Sequence, residues 1–112
     1  MQLNQDEISK RIKVALSTIK NTYGAEDGEY SVNLFASHHL NEIEVGYWEK
    51  HLGIADIKES QILDILVLRS YWRDDENGID IFDFTIPENI TDYIISVHFN
   101  KNGQIEEISM ES

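Results

Sequence analysis

The stretch Val67–Ile86, VLRSYWRDDENGIDIFDFTI, decides how the rest of the chain must fold. Val67 to Arg73 and Ile79 to Ile86 are rich in β-branched and aromatic residues, with Asp74-Asp75-Glu76-Asn77-Gly78 between them. Asn-Gly takes positive φ readily, so the stretch predicts a β-hairpin. Pro87 ends the second strand because it has no N–H to give to a ladder.

A second hairpin follows. Tyr93, Ile95, Val97 and Phe99 alternate with Ser96 and His98, and Asn100-Lys101-Asn102-Gly103 turns the chain into a last strand, Gln104 to Met110. Ile105, Ile108 and Met110 break strict alternation, which predicts a bulge. Two successive hairpins make an antiparallel four-stranded meander.

Upstream, Asn4 precedes Gln5-Asp6-Glu7, an N-cap followed by acidic first-turn residues. Ile8, Ile12, Ala15, Leu16, Ile19 and Tyr23 recur at three- and four-residue steps, and Gly24 supplies a left-handed stop. Tyr30, Val32 and Leu34 alternate with Ser31 and Asn33, the pattern of a strand. Tyr47 to Leu52, before Gly53, reads as a helical turn or loop. Asp56 or Ser60 can cap a short helix carrying Ile62, Leu63 and Leu66. The expectation is a single α+β domain over 1–112, an N-terminal amphipathic helix packed on an antiparallel sheet that ends in a four-stranded meander.

At 112 residues the chain buries one core and not two. With no cysteine it has neither disulfides nor a thiolate zinc site. No apolar run reaches the roughly 18 residues of a membrane span, and the N-terminus lacks the basic start and apolar run of a secretion signal. The cytoplasm is the expected compartment. The formal net charge is −12. Residues 1–20 hold four basic and two acidic groups, a net +2, and the remainder holds five basic and nineteen acidic, a net −14. Such a field repels nucleic acid and anionic lipid and draws cationic partners inward. It equally serves solubility.

Five carboxylates, Asp74, Asp75, Glu76, Asp80 and Asp83, crowd the first hairpin. A calcium loop with Gly78 at its sixth position would place Arg73 and Phe84 where ligands belong, so that motif fails. Asp80 and Asp83, three apart on a strand, point to opposite faces unless a bulge intervenes. His38 and His39, on a strand, would also diverge, one bonded inward and one exposed. No HExxH, GxSxG or phosphate-cradling glycine motif occurs, so no catalytic residue, metal or cofactor is expected. What remains for the carboxylates is a solvated tip or a surface for a basic partner. Tyr47 and Trp48, in a loop, would anchor such an interface.

The segments FASHHLNEIEVGYWEKHLG, ILDILVLRSYW and FDFTIPENITDYIISVHFNKNGQIEEISMES resemble a family of small bacterial proteins catalogued as a domain of unknown function. The resemblance covers roughly residues 31–112 and brings no catalytic residue with it. Members of that family are similar in size and acidity to immunity proteins of bacterial toxin systems. By that analogy the expectation is a non-enzymatic immunity protein that neutralises a cognate basic toxin, such as a nuclease, and the charge and aromatic pattern of the chain puts the contact at Asp74, Asp75, Glu76, Asp80, Asp83, Tyr47 and Trp48. The alternatives are an acidic cytosolic interaction domain of other role, and a hydrolase using carboxylates that the fold brings together.

Overall fold

Asn4 does cap a helix: its Oδ1 accepts the Glu7 N–H at 2.8 Å, and α1 runs Gln5–Thr22. The computed structural model describes residues 3–112; Met1 and Gln2 lie outside the described residues. The stripe expected along α1 faces inward, with Ala15 and Ile19 fully buried and Ile8, Ile12, Leu16 and Tyr23 packed partly against the core. Gly24, at φ 84°, turns the chain away.

The strand expected at Tyr30–Leu34 is absent: those residues lead into and begin a helix, α2, Val32–Glu42. Val32, Phe35, Ala36 and His39 are buried, and their three- and four-residue spacing outweighs an alternation that spans only five positions. The chain before α2 is fastened to the end of α1. Gly28 lies so close to Thr22 that a Cβ there would stand 2.5 Å from its carbonyl oxygen. Asn33 Oδ1 accepts the Gly24 N–H at 2.9 Å. Tyr30 consequently projects into solvent, 80 % exposed.

Helix α3, Val45–Leu52, follows and ends at Gly53 with φ 76°. The short helix expected around Ile62 is a 3-10 helix, Glu59–Ile65. Neither Asp56 nor Ser60 caps it. Gln61 folds back instead, its Oε1 accepting the Lys58 N–H at 2.7 Å. Ile62, Leu63 and Leu66 are buried as their spacing requires.

Four strands complete the chain: β1 Val67–Asp74, β2 Ile79–Thr85, β3 Ile94–Phe99 and β4 Ile105–Glu111. Their order, β1-β2-β3-β4, is the antiparallel meander expected from the two hairpins. The predicted bulge falls at Glu106, since Glu107 pairs with His98 and Ile105 with Phe99. A second, unforeseen one leaves Arg69 unpaired between Leu68 and Ser70.

Alternation along β2 sends Phe82 and Phe84 to one face of the sheet and Ile81 and Asp83 to the other. The first face meets the helices. Ile19, Phe35, Ile62, Phe82, Phe84, Val97 and Phe99 form one buried cluster, and each fully buried phenylalanine contributes about 1.5–3 kcal/mol. Ile81 is buried too, but it lies outside that cluster, on the opposite face of the sheet. The fold is α+β, helices on one side of a meander. Among the described residues, no helix is long and apolar enough to cross a membrane.

Candidate functional site

The hairpin β1–β2 divides its five carboxylates between three environments. Asp74, Asp75 and Glu76 occupy the turn. Asp74 accepts a bond from Asn77 Nδ2 at 2.9 Å, and this contact holds its carboxyl below the usual range. Asp75 and Glu76 are exposed and form no ion pair among the described residues.

Asp80, expected at the partner surface, is instead fully buried beneath α1. Arg73 grips it twice, Nε to Oδ1 and Nη2 to Oδ2, both at 2.8 Å. Tyr71 OH donates to Oδ1 at 2.7 Å, and Arg11 Nη1 reaches Oδ2 from the helix at 3.1 Å. Burial pushes the Asp80 carboxyl up. The hydrogen bonds from Arg73 and Tyr71 and the charges of Arg73 and Arg11 outweigh it, leaving the group below its ordinary value. Tyr71 moves the opposite way, raised by burial and by its bond to Asp80. Arg11 also bonds Glu7 Oε2 at 2.9 Å and lies over the Phe99 ring, 5.3 Å from its centroid. Sequence reasoning missed this cluster. The signal was present: Arg11 interrupts the apolar stripe of α1, and Asp80 shares the inward parity of Phe82 and Phe84.

Asp83 takes the other face, as the strand period predicts, and it too is buried, 8 % exposed. In register across the sheet, Ser70, Asp83, Ser96 and Ser109 form one row. Asp83 Oδ2 accepts from Ser70 Oγ at 3.0 Å and from Trp72 Nε1 at 3.3 Å, and Oδ1 accepts from Ser96 Oγ at 2.7 Å. Ser96 Oγ also lies 3.3 Å from His98 Nε2, and His98 Nδ1 lies 3.9 Å from Glu107. That trio has the residue types of a hydrolytic site. However, the serine is buried and its hydroxyl hydrogen is already given to Asp83, so the contact does not activate a nucleophile.

Tyr47 and Trp48 belong to α3 and not to a loop, and both are buried, 8 % and 2 % exposed. Tyr47 OH donates to the Pro87 carbonyl at 2.9 Å, and burial, then the charge of Glu88, push its phenol up to about 12. Glu88, at φ 71°, is held there by Lys50 and His51 of α3. Tyr47 docks α3 on the β2–β3 connection, Trp48 joins the core, and neither presents a free anchor in the folded chain.

His38 and His39 lie on a helix, so the strand argument for their divergence does not apply, although the outcome is similar. His39 is 1 % exposed; its Nδ1 contacts the Phe35 carbonyl at 2.6 Å and its Nε2 contacts Thr91 Oγ1 at 2.9 Å. A carbonyl only accepts, so Nδ1 carries the proton and Thr91 donates to Nε2. Burial lowers the pKa of His39, partly offset by the bond to Phe35. His38 is half-buried against Tyr93, ring centroids 4.8 Å apart. Among the described residues, no group of three or more His, Asp or Glu converges to hold a metal ion.

The geometry thus defines a small acidic domain with an anionic hairpin tip, a carboxylate paired with two guanidinium groups under the helix and, on the opposite face of the sheet, one that enters no ion pair among the described residues. Compared with known proteins, the chain matches no family model, no curated protein and no solved structure.

Proposed function

We propose that this chain is a non-enzymatic, cytoplasmic immunity protein that binds and neutralises a basic toxin, with the hairpin tip Asp74–Glu76 at the contact. The observation that carries this is the division of charge within one hairpin. Asp80 is fixed by two guanidinium groups below the tip, while Asp75 and Glu76 stand exposed above it and enter no ion pair among the described residues. A rigid strand pair that holds like charges together at its end suits a complementary basic cleft, and the surplus of −12 speeds encounter with it. A basic nuclease cleft is one surface of that kind.

The test is co-expression with the product of the gene beside its own. Restored growth and a stoichiometric complex in calorimetry are expected. Unrelieved toxicity with no complex would refute the proposal. An acidic interaction domain of another role remains the second reading, favoured if the chain instead forms a complex with a non-toxic cellular protein.

A further inference from the structure

The face of the sheet that no helix covers holds a buried carboxylate, Asp83, that enters no ion pair among the described residues. The described chain has two buried carboxylates, and they are treated differently: Asp80 has two guanidinium groups, and Asp83 has only Ser70, Ser96 and the Trp72 indole. Neutral donors satisfy lone pairs but leave the net charge, which is costly away from water. Asp83 lines a hollow of about 480 Å³ shared with Arg69 and Asp92, yet no cation comes within 4.0 Å of it among the described residues.

A further feature of this face points to what would fill it. Trp72 is 50 % exposed, and its N–H is tied to Asp83, so a free aromatic plane is held at a fixed angle beside the carboxylate. Carboxylate and aromatic plane together match a planar group that is cationic and stacks. Guanidinium has both properties, whereas an ammonium is compact, strongly hydrated and does not stack.

We propose that the open face receives an arginine side chain of a protein partner, its guanidinium over Asp83 and stacked on Trp72. This rests on the reading of the partner as a basic protein and names the contact that reading leaves open. Glu107 and Glu111, on the same face of β4, add negative charge around the approach, while Arg69 lines the hollow.

The test uses the isotopically labelled full chain and a blocked Gly-Gly-Arg-Gly-Gly peptide, with its citrulline counterpart as the neutral isostere. Saturable shifts of the Trp72 indole N–H and of the Ser70, Asp83 and Ser96 amides are expected with arginine, and at least fivefold weaker binding with citrulline. Asp83→Asn should weaken the arginine peptide about tenfold. Trp72→Ala, a change at a half-exposed position, gives the same weakening even if Asp83→Asn does not fold. Equal response to citrulline, shifts confined to Asp74–Glu76, or no shift at all would overturn the arginine site. The basic-toxin reading is judged separately by the growth assay, and its failure there leaves peptide binding untouched.

Discussion

Replacing Asp80 by asparagine should be among the most damaging single-atom changes available to this fold. The carboxylate is fully buried and receives two bonds from Arg73, one from Tyr71 and one from Arg11, which is itself only 8 % exposed. Asparagine keeps the shape but removes the charge, and its NH₂ would point at a guanidinium donor. Breaking a buried ion pair from one side costs about 3–5 kcal/mol, because the remaining charge stays desolvated. Glu7 still faces Arg11, so the lower part of that range applies, about 3 kcal/mol. With a urea slope of roughly 1–3 kcal/mol per molar, the midpoint should fall by about 1–3 M. The assay is equilibrium urea unfolding at neutral pH, followed by circular dichroism, on the wild type, Asp80→Asn, Arg11→Met and the double variant. Arg11→Met should relieve part of the loss in the double variant, since one stranded charge then disappears. The native carboxyl is depressed, so its contribution is complete above the usual aspartate pKa of about 3.9 and is lost as pH falls through the lower folded value. Asp80→Asn should therefore flatten the acid limb of stability. A loss under about 1 kcal/mol, with that limb unchanged, would refute the idea that this cluster clamps α1 to the hairpin.

Other outcomes follow from the same structure. Ile19→Ala, at a fully buried position, should cost about 2–5 kcal/mol, and Leu16→Ala, only partly buried, clearly less; equal losses in urea unfolding would contradict the packing of α1. His39 is kept neutral by burial, so stability should fall as pH drops below the usual imidazole pKa of about 6.5, and His39→Gln should remove that step from a melting-temperature profile. Changing Asp74, Asp75 and Glu76 together to Asn, Asn and Gln should leave the urea midpoint in place while slowing association with the proposed basic partner and flattening its salt dependence in stopped-flow measurements.

The meander was legible because turn chemistry and strand period agree in it: Asn77-Gly78 and the Asn100–Gly103 turn fix both hairpins, and β2 must alternate around them. Helix α1 was legible for the same reason, cap and stripe pointing one way. The stretch Tyr30–Leu34 was not, because five residues of alternation are also compatible with a helix whose buried positions continue to Phe35, Ala36 and His39. Tyr47 and Trp48 misled through type alone: an aromatic pair serves a core or an interface, and only the neighbouring elements decide which. Within the acidic hairpin, parity placed Asp80 and Asp83 on opposite faces correctly. Their burial depended on Arg11 and on Ser96, residues 69 and 13 positions away, and no local pattern carries that information.

A meander has two unpaired outer strands, and here each is interrupted. Arg69 is the supernumerary residue on β1 and Glu106 on β4, so both borders are kinked and both kinks bear a charge. An incoming strand would need an unbroken, straight row of N–H and C=O groups to continue the ladder, and neither margin offers one. Edge-to-edge growth of the sheet into fibrils or stacked oligomers is thereby obstructed at both ends. Concentrated solutions of the folded chain should accordingly resist β-aggregation for a reason distinct from their mutual charge repulsion, and that resistance should persist at salt levels that screen the repulsion.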